Sequence, residues 1–282
     1  MINFNGTLIE NSSTFISTEN RGYKFGDALF ETLKVLQGKI LFWEDHYFRL
    51  MASMRILRME IPMHFTMEFL QNEIIKTLEA NNLINASARV RLNIDRGEGG
   101  RYLPKTTSIS YSIVVELLNA DLYEFSVYKT YRVDLFKDYY VSADLLSTLK
   151  TNNKVINVIG SIYAMENQLD NCLLLNTNKN VVEALNGNLF LVKNNVIKTP
   201  PLSDGCLKGI LRKQIIEIIR LIDDYEIIES SISPFELQKA DELFITNVIL
   251  GIQPISNYRK KEFSKSVSKL LLDKLNISLR LN

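Results

Sequence analysis

The chain has 282 residues, 46% hydrophobic and 23% charged, an ordinary globular composition with room for one large domain or two moderate ones. With 33 Lys and Arg against 32 Asp and Glu, the formal net charge is +1, so no broad field marks a nucleic-acid or anionic-membrane surface. No apolar run approaches the roughly 20 residues that span a bilayer. The N-terminus "MINFNGTLIENSS" has no basic region followed by an apolar core, so the expected location is the cytoplasm. Two cysteines, Cys172 and Cys206, are expected to be reduced thiols; with His46 and His64 they make a poor zinc set.

The first half mixes short strand patterns with two helices. "ILFWEDHYFRLMASMRILRM" places Phe48, Met51, Ile56 and Met59 at roughly helical spacing. "MEFLQNEIIKTLEANN" carries Phe69, Leu70, Ile74, Ile75 and Leu78 on one stripe and stops at paired asparagines. "ARVRLNID" alternates, with Val90, Leu92 and Ile94 on one face and Arg89, Arg91 and Asn93 on the other, as a half-buried strand does. "TSISYSIVVEL" repeats the pattern. These elements predict an α+β domain over 1–117, followed by a linker over 118–124.

The remaining 125–282 reads as a mixed α/β domain. "NVIGSIYAMENQLD" is helical, and "CLLLNTNKNVVEA" is a hairpin around Asn176–Asn180. "NLFLVKNNVIKTP" turns at Asn194 and Asn195 and is stopped by Pro200 and Pro201. "GILRKQIIEIIRLIDDY" has Leu211, Ile215, Ile218, Ile219 and Ile222 at helical spacing. "SPFEL" starts a helix, with Ser233 as N-cap, Pro234 first and Glu236 three residues after the cap. "ELFITNV" is a strand. A cleft between two such domains is the default place for a small-molecule ligand.

Several residues invite chemistry, each with a plainer reading beside it. Lys150 in "LSTLKTNNKV" is one of many basic residues, and such side chains mostly sit in water. Gly209 stands where a long helix begins, whose free N–H groups and positive dipole end suit a phosphate; alone, it only eases a loop into a helix. Arg49 in "FWEDHYFRL" forks onto a phosphate or lies in solvent. Glu183 ends an apolar strand, as a solvated end or as the partner of a buried cation.

Their order along the chain carries more than any one of them. A lysine, a glutamate, Asn-X-Phe, Thr-Pro, a glycine opening a helix with Arg, and a strand ending in Thr-Asn resemble the fold-type IV pyridoxal-phosphate enzymes, the class IV aminotransferase family. That family includes branched-chain and D-amino-acid aminotransferases and 4-amino-4-deoxychorismate lyase. Six ordered segments carry the resemblance over nearly the whole chain: "RGYKFGDALFETLKV", "HYFRL", "LKTNNKVINVI", "VVEALNGNLFLV", "TPPLSDGCLKGILR" and "ADELFITNVILGIQPI".

The resemblance implies a D-amino-acid-aminotransferase-like fold, pyridoxal 5'-phosphate as cofactor and a homodimer. It makes Lys150 the Schiff-base lysine, Glu183 the partner of the pyridine nitrogen, and Arg49 with the N–H groups of Ile210 and Leu211 the phosphate site beside Gly209. Asn247 and Val248 match further phosphate-side positions, and Asn186 and Gly187 match backbone contacts. "ITNVILGIQPI" and Asn153-Lys154 look like the lyases, as does "DRGEGGRYLP", where Arg101 suits a substrate carboxylate. Phe30 stands where D-amino-acid enzymes carry a tyrosine, and the histidine that accompanies their substrate arginine is replaced by Tyr102-Leu103-Pro104. Ala28, Leu29 and Leu185 depart from the lyase pattern. The resemblance thus implies a lyase forming 4-aminobenzoate and pyruvate, with a branched-chain or D-amino-acid aminotransferase as the alternative.

Overall fold

A computed structural model describes residues 1–125 and 128–281. The chain divides into two compact units, 1–121 with 150–153, and 122–149 with 154–282.

The first unit is a six-stranded antiparallel sheet with three helices. Its strands are β1 (Ile2–Phe4), β2 (Thr7–Ile9), β3 (Ala28–Leu36), β4 (Lys39–Ile40), β5 (Ser87–Arg96) and β6 (Ile109–Leu117), in the order β2-β1-β6-β5-β3-β4. A short helix, α1 (Arg21–Phe25), precedes β3; α2 (Trp43–Ile56) packs on β3, and α3 (Met67–Ala80) packs on β6 and β1. β5 buries Val90, Leu92 and Ile94 as its alternation predicts. The Thr66 hydroxyl accepts the Phe69 N–H and starts α3. The stripe expected on α2 is displaced. Phe48 is 55% exposed and Ile56 38%, while His46, Leu50, Met51, Ser53 and Met54 are buried. Phe48 sits two positions from both His46 and Leu50, which puts it on the opposite side of a 3.6-residue turn.

The second unit contains a ten-stranded mixed sheet. It runs through β7 (Arg132–Val141), α4 (Val155–Glu166), β8 (Asn171–Asn176), β9 (Val181–Ala184), β10 (Gly187–Lys193), β11 (Val196–Thr199), α5 (Ile210–Arg220), β12 (Glu226–Glu229), α6 (Pro234–Lys239), β13 (Glu242–Asn247), β14 (Gly251–Ile255), β15 (Asn257–Tyr258), β16 (Lys261–Glu262) and α7 (Ser266–Leu281). Strands β8 to β11 form the two expected hairpins, and α6 opens with the capping box of Ser233 and Glu236. The core gathers Leu173, Leu189, Leu191, Leu243, Ile245 and Tyr258, all nearly or fully buried. Glu242, 1% exposed, accepts the N–H groups of Val267 and Ser268 and so anchors the start of α7. Both cysteines are free and buried. No helix among the described residues is long and apolar enough to cross a membrane.

One boundary differs from the sequence expectation. Lys150–Asn153 was expected inside the 125–282 domain, yet it belongs to the first unit. Its backbone explains why: the Phe30 N–H donates to Lys150 O at 2.9 Å, and the Asn152 N–H donates to Ala28 O at 3.0 Å. Thr151 thereby bridges Leu29, and the segment straps the open edge of β3.

Candidate active site

The first unit fixes Lys150 through its neighbours. The strap holds the backbone, and the ammonium lies 4.3 Å from the centre of the Phe30 ring. Arg91 stacks on the same ring, its guanidinium carbon 3.9 Å from the centroid. Arg91 also donates to Asn152 Oδ1 at 3.2 Å and to Asn93 Oδ1 at 3.4 Å. Burial first and then the neighbouring Arg89 push its pKa down, against the opposing pull of Asp95 and Glu116. Phe30 is thus the platform that places Lys150 and Arg91 side by side. Composition and alternation singled out Arg91 only as a residue on the polar face of β5.

Glu31, next to Phe30 on the opposite face of β3, is 2% exposed and holds two partners. Arg49 forks onto it, Nε to Oε1 at 2.8 Å and Nη2 to Oε2 at 2.5 Å. His46 Nδ1 lies 2.7 Å from Oε2. Burial alone would raise the Glu31 carboxyl pKa, but Arg49 and His46 outweigh it and bring it down to about 2. For His46 burial prevails over the pull of Glu31, with Arg49 and Lys150 adding to it, so its pKa falls and the ring is neutral. Glu31 and His46 escaped the sequence reading. The signal was present: a carboxylate inside the apolar run "ALFETLKV" needs a cation, and Arg49 and His46 share one face of the following helix at i, i+3.

Arg101 sits on the loop after β5. Its carbonyl, not its side chain, is anchored: buried Arg21 donates to the carbonyls of Gly99, Arg101 and Tyr102 and is itself held by Asp27 at 2.8 Å. The Arg101 side chain is exposed.

On the second unit Glu183 lies near the end of β9, where its Oε2 accepts the Leu207 N–H at 2.9 Å. The loop that follows leads to Gly209, which caps α5 without any side-chain bond, so the helix opens at Ile210 and Leu211 with its first donors uncapped. A Cβ on Gly209 would lie 1.9 Å from Asn188 Oδ1, the amide whose nitrogen donates to Leu207 O at 2.8 Å. Glycine is required there because the clasp passes over it. Gly209→Ala is expected to force Asn188 away and cost about 1–3 kcal/mol, read by urea unfolding. A variant as stable as wild type would show that Asn188 is not held.

Leu185 and Asn186 form the turn into β10, whose first residue is Gly187. Asn171 donates to Asn186 Oδ1 at 2.8 Å, and Asn247 donates to Asn186 O at 3.0 Å. Asn247 Oδ1 accepts the N–H groups of Ile249 and Leu250. Val248 gives its carbonyl to the Tyr123 hydroxyl at 2.6 Å. Both asparagine side chains are therefore engaged in shaping their loops. Asn157 of α4 donates to Leu185 O at 2.7 Å and ties the helix after the strap to this turn.

Comparison with known proteins adds four findings. The family model described as amino-transferase class IV matches residues 28–258. The chain is 30% identical to a putative branched-chain-amino-acid aminotransferase of Methanocaldococcus jannaschii, over 90% of this chain and 86% of that one. It is 24% identical to an aminodeoxychorismate lyase of Vibrio harveyi, over 88% of this chain and 89% of that one. In fold it is similar to the branched-chain aminotransferase of Thermoproteus uzoniensis, with a TM-score of 0.86, 22% identity, and coverage of 97% of this chain and 92% of that one.

Proposed function

The chain belongs to the class IV amino-transferase family of pyridoxal-phosphate enzymes, and from that premise we propose that it is a lyase converting 4-amino-4-deoxychorismate to 4-aminobenzoate and pyruvate. The residues present fit the cofactor. The uncapped N–H groups of Ile210 and Leu211, at the positive end of α5, suit a phosphate. Arg49 adds a cation whose plane Glu31 has already set. Glu183, oriented by the Leu207 N–H, suits a protonated ring nitrogen. When bound, the cofactor supplies an electron sink for the charge left by loss of a proton.

Lys150 is the amine that would hold the cofactor and be freed when a substrate amine takes its place. The freed amine of Lys150 would take the proton from the amine-bearing carbon and, as an ammonium, return one to the methylene of the departing enolpyruvyl group. Glu183 would hold the proton on the ring nitrogen. Loss of pyruvate leaves an aromatic ring, and that supplies the driving force.

The observation that carries the lyase reading is Arg91 on the Phe30 ring beside Lys150. It sets a fixed guanidinium next to the reacting amine, and Arg101 supplies another on its loop. Two guanidinium groups suit a substrate with two carboxylates; a branched-chain amino acid has one. The second reading, an aminotransferase for branched-chain or D-amino acids, draws support from the 30% identity to the archaeal protein. We place the enzyme in the cytoplasm as a homodimer, checked for assembly by light scattering.

The deciding measurement is 4-aminobenzoate fluorescence after adding 4-amino-4-deoxychorismate with no keto acid present. Prompt product supports the lyase. No product from cofactor-loaded enzyme, together with ping-pong amino transfer to a keto acid, replaces it with the aminotransferase.

A further inference from the structure

The starts of β7 and β15 run side by side in parallel, Asn257 opposite Arg132 and Tyr258 opposite Val133. Residues two apart on a strand share a face. Arg132 and Asp134 therefore stand together, next to Asn257 and to Arg259 just past the end of β15. Tyr163 and Asn167, at the last turn of α4 and its cap, close the corner. Between them lies a cavity of about 240 Å³, whose wall is completed by Val133 and Leu169. None of these residues is assigned above to cofactor or substrate.

The charges in this cavity form a pattern. The Arg132 guanidinium has no hydrogen-bond or ion-pair partner among the described residues; only its backbone is engaged, with the N–H donating to Asp170 Oδ2 at 2.7 Å. Arg259 reaches Asp134 Oδ1 at 3.3 Å, with the side chains 41% and 36% exposed, and a pair so open to water binds weakly. Asp134 Oδ1 also takes the Leu135 N–H. Asn167 spends an amide N–H on Tyr163 O, which leaves its carbonyl oxygen as an acceptor. The cavity thus offers two guanidinium groups to an anion, a carboxylate and an amide oxygen to a cation, and the apolar faces of Tyr163 and Leu169 to whatever joins them.

We propose that this cavity binds a free α-amino acid with an apolar side chain. Its carboxylate is taken by Arg132 and Arg259, its ammonium by Asp134, and its side chain lies against Tyr163 and Leu169. The volume suits a molecule of that size and falls below the roughly 300 Å³ at which drug-sized pockets begin. The site is independent of which reaction the enzyme runs.

The test is equilibrium dialysis of the holoenzyme with radiolabelled 1-aminocyclopentane-1-carboxylate, an α-amino acid with no α-hydrogen that cannot be transaminated. Saturable binding is expected, at least tenfold weaker in Arg132→Ala and in Arg259→Ala, with the cofactor's absorption spectrum unchanged in both. Cyclopentanecarboxylate, which lacks the ammonium, is expected to bind at least tenfold more weakly than the amino acid. Equal binding by wild type and both variants overturns the proposal, as does equal binding of the amine-free acid. The cofactor-free chain is expected to give the same result, so a failure of the functional assignment leaves this test standing.

Discussion

Lys150→Ala is expected to abolish the covalent cofactor label that borohydride reduction fixes on the loaded protein, and to lower turnover by at least about a thousandfold. General acid–base work by one positioned group contributes 10²–10⁴, and covalent capture of the cofactor is lost with it. Stability should hardly change. The strap is kept by the Lys150 carbonyl and the Asn152 N–H, both backbone groups that alanine leaves in place. Unfolding midpoints equal to wild type, beside lost capture and lost turnover, are therefore the expected signature. Retained borohydride-stable label would mean that another amine holds the cofactor. Lys154 is then the first to examine: burial pushes its pKa down, although Glu183 opposes that shift.

Glu31→Leu is the second large effect. The Glu31 carboxylate is buried with Arg49 and His46 on it, their side chains 2%, 8% and 0% exposed. Removing it breaks a buried ion pair from one side, which typically costs about 3–5 kcal/mol. Urea unfolding at neutral pH should show that loss, and Glu31→Gln, which keeps the shape and one acceptor, should lose less. The effect also depends on pH. The Glu31 pKa is lowered from 4.5 to about 2 on folding, so its ionised form stabilises the native state above 4.5. That contribution, on the order of 3 kcal/mol, fades as pH falls from about 4.5 to about 2. The stability gap between wild type and Glu31→Leu should narrow across that window. A gap that stays constant down to pH 2.5 would mean the carboxyl is not held ionised.

Much of the fold was legible because local periodicity reported it. The alternation of Val90, Leu92 and Ile94, the stripe of Leu211, Ile215 and Ile219, and the capping box of Ser233 and Glu236 each need only neighbouring residues to be read. On the site, the order of motifs pointed to Lys150, Glu183 and Gly209, and the structure gives each a defined setting. What escaped depends on long-range pairing. Nothing within a few residues of Lys150 announces that its carbonyl will meet Phe30, and nothing near Arg91 announces that it will share that ring with a lysine. Glu31 escaped for the opposite reason: it lies inside an apolar strand, where periodicity counts it as an interruption, although burial makes it a keystone. Phe48 shows that a hydrophobic residue in a helix need not mark the inward face when His46 and Ser53 occupy that face instead.

The strap has a consequence for how the chain is made. Along the polypeptide, 1–121 is complete long before Lys150 leaves the ribosome, yet the beginning of β3 still lacks the four residues that cover it. Until then the Phe30 N–H and the Ala28 carbonyl lie on an unguarded strand edge, which invites pairing with another nascent chain. A gene fragment ending at 121 would carry that open edge permanently and is expected to aggregate. The last piece to close the first unit is the one that bears Lys150, so on the function proposed above a chain able to hold the cofactor is one whose first unit has finished folding.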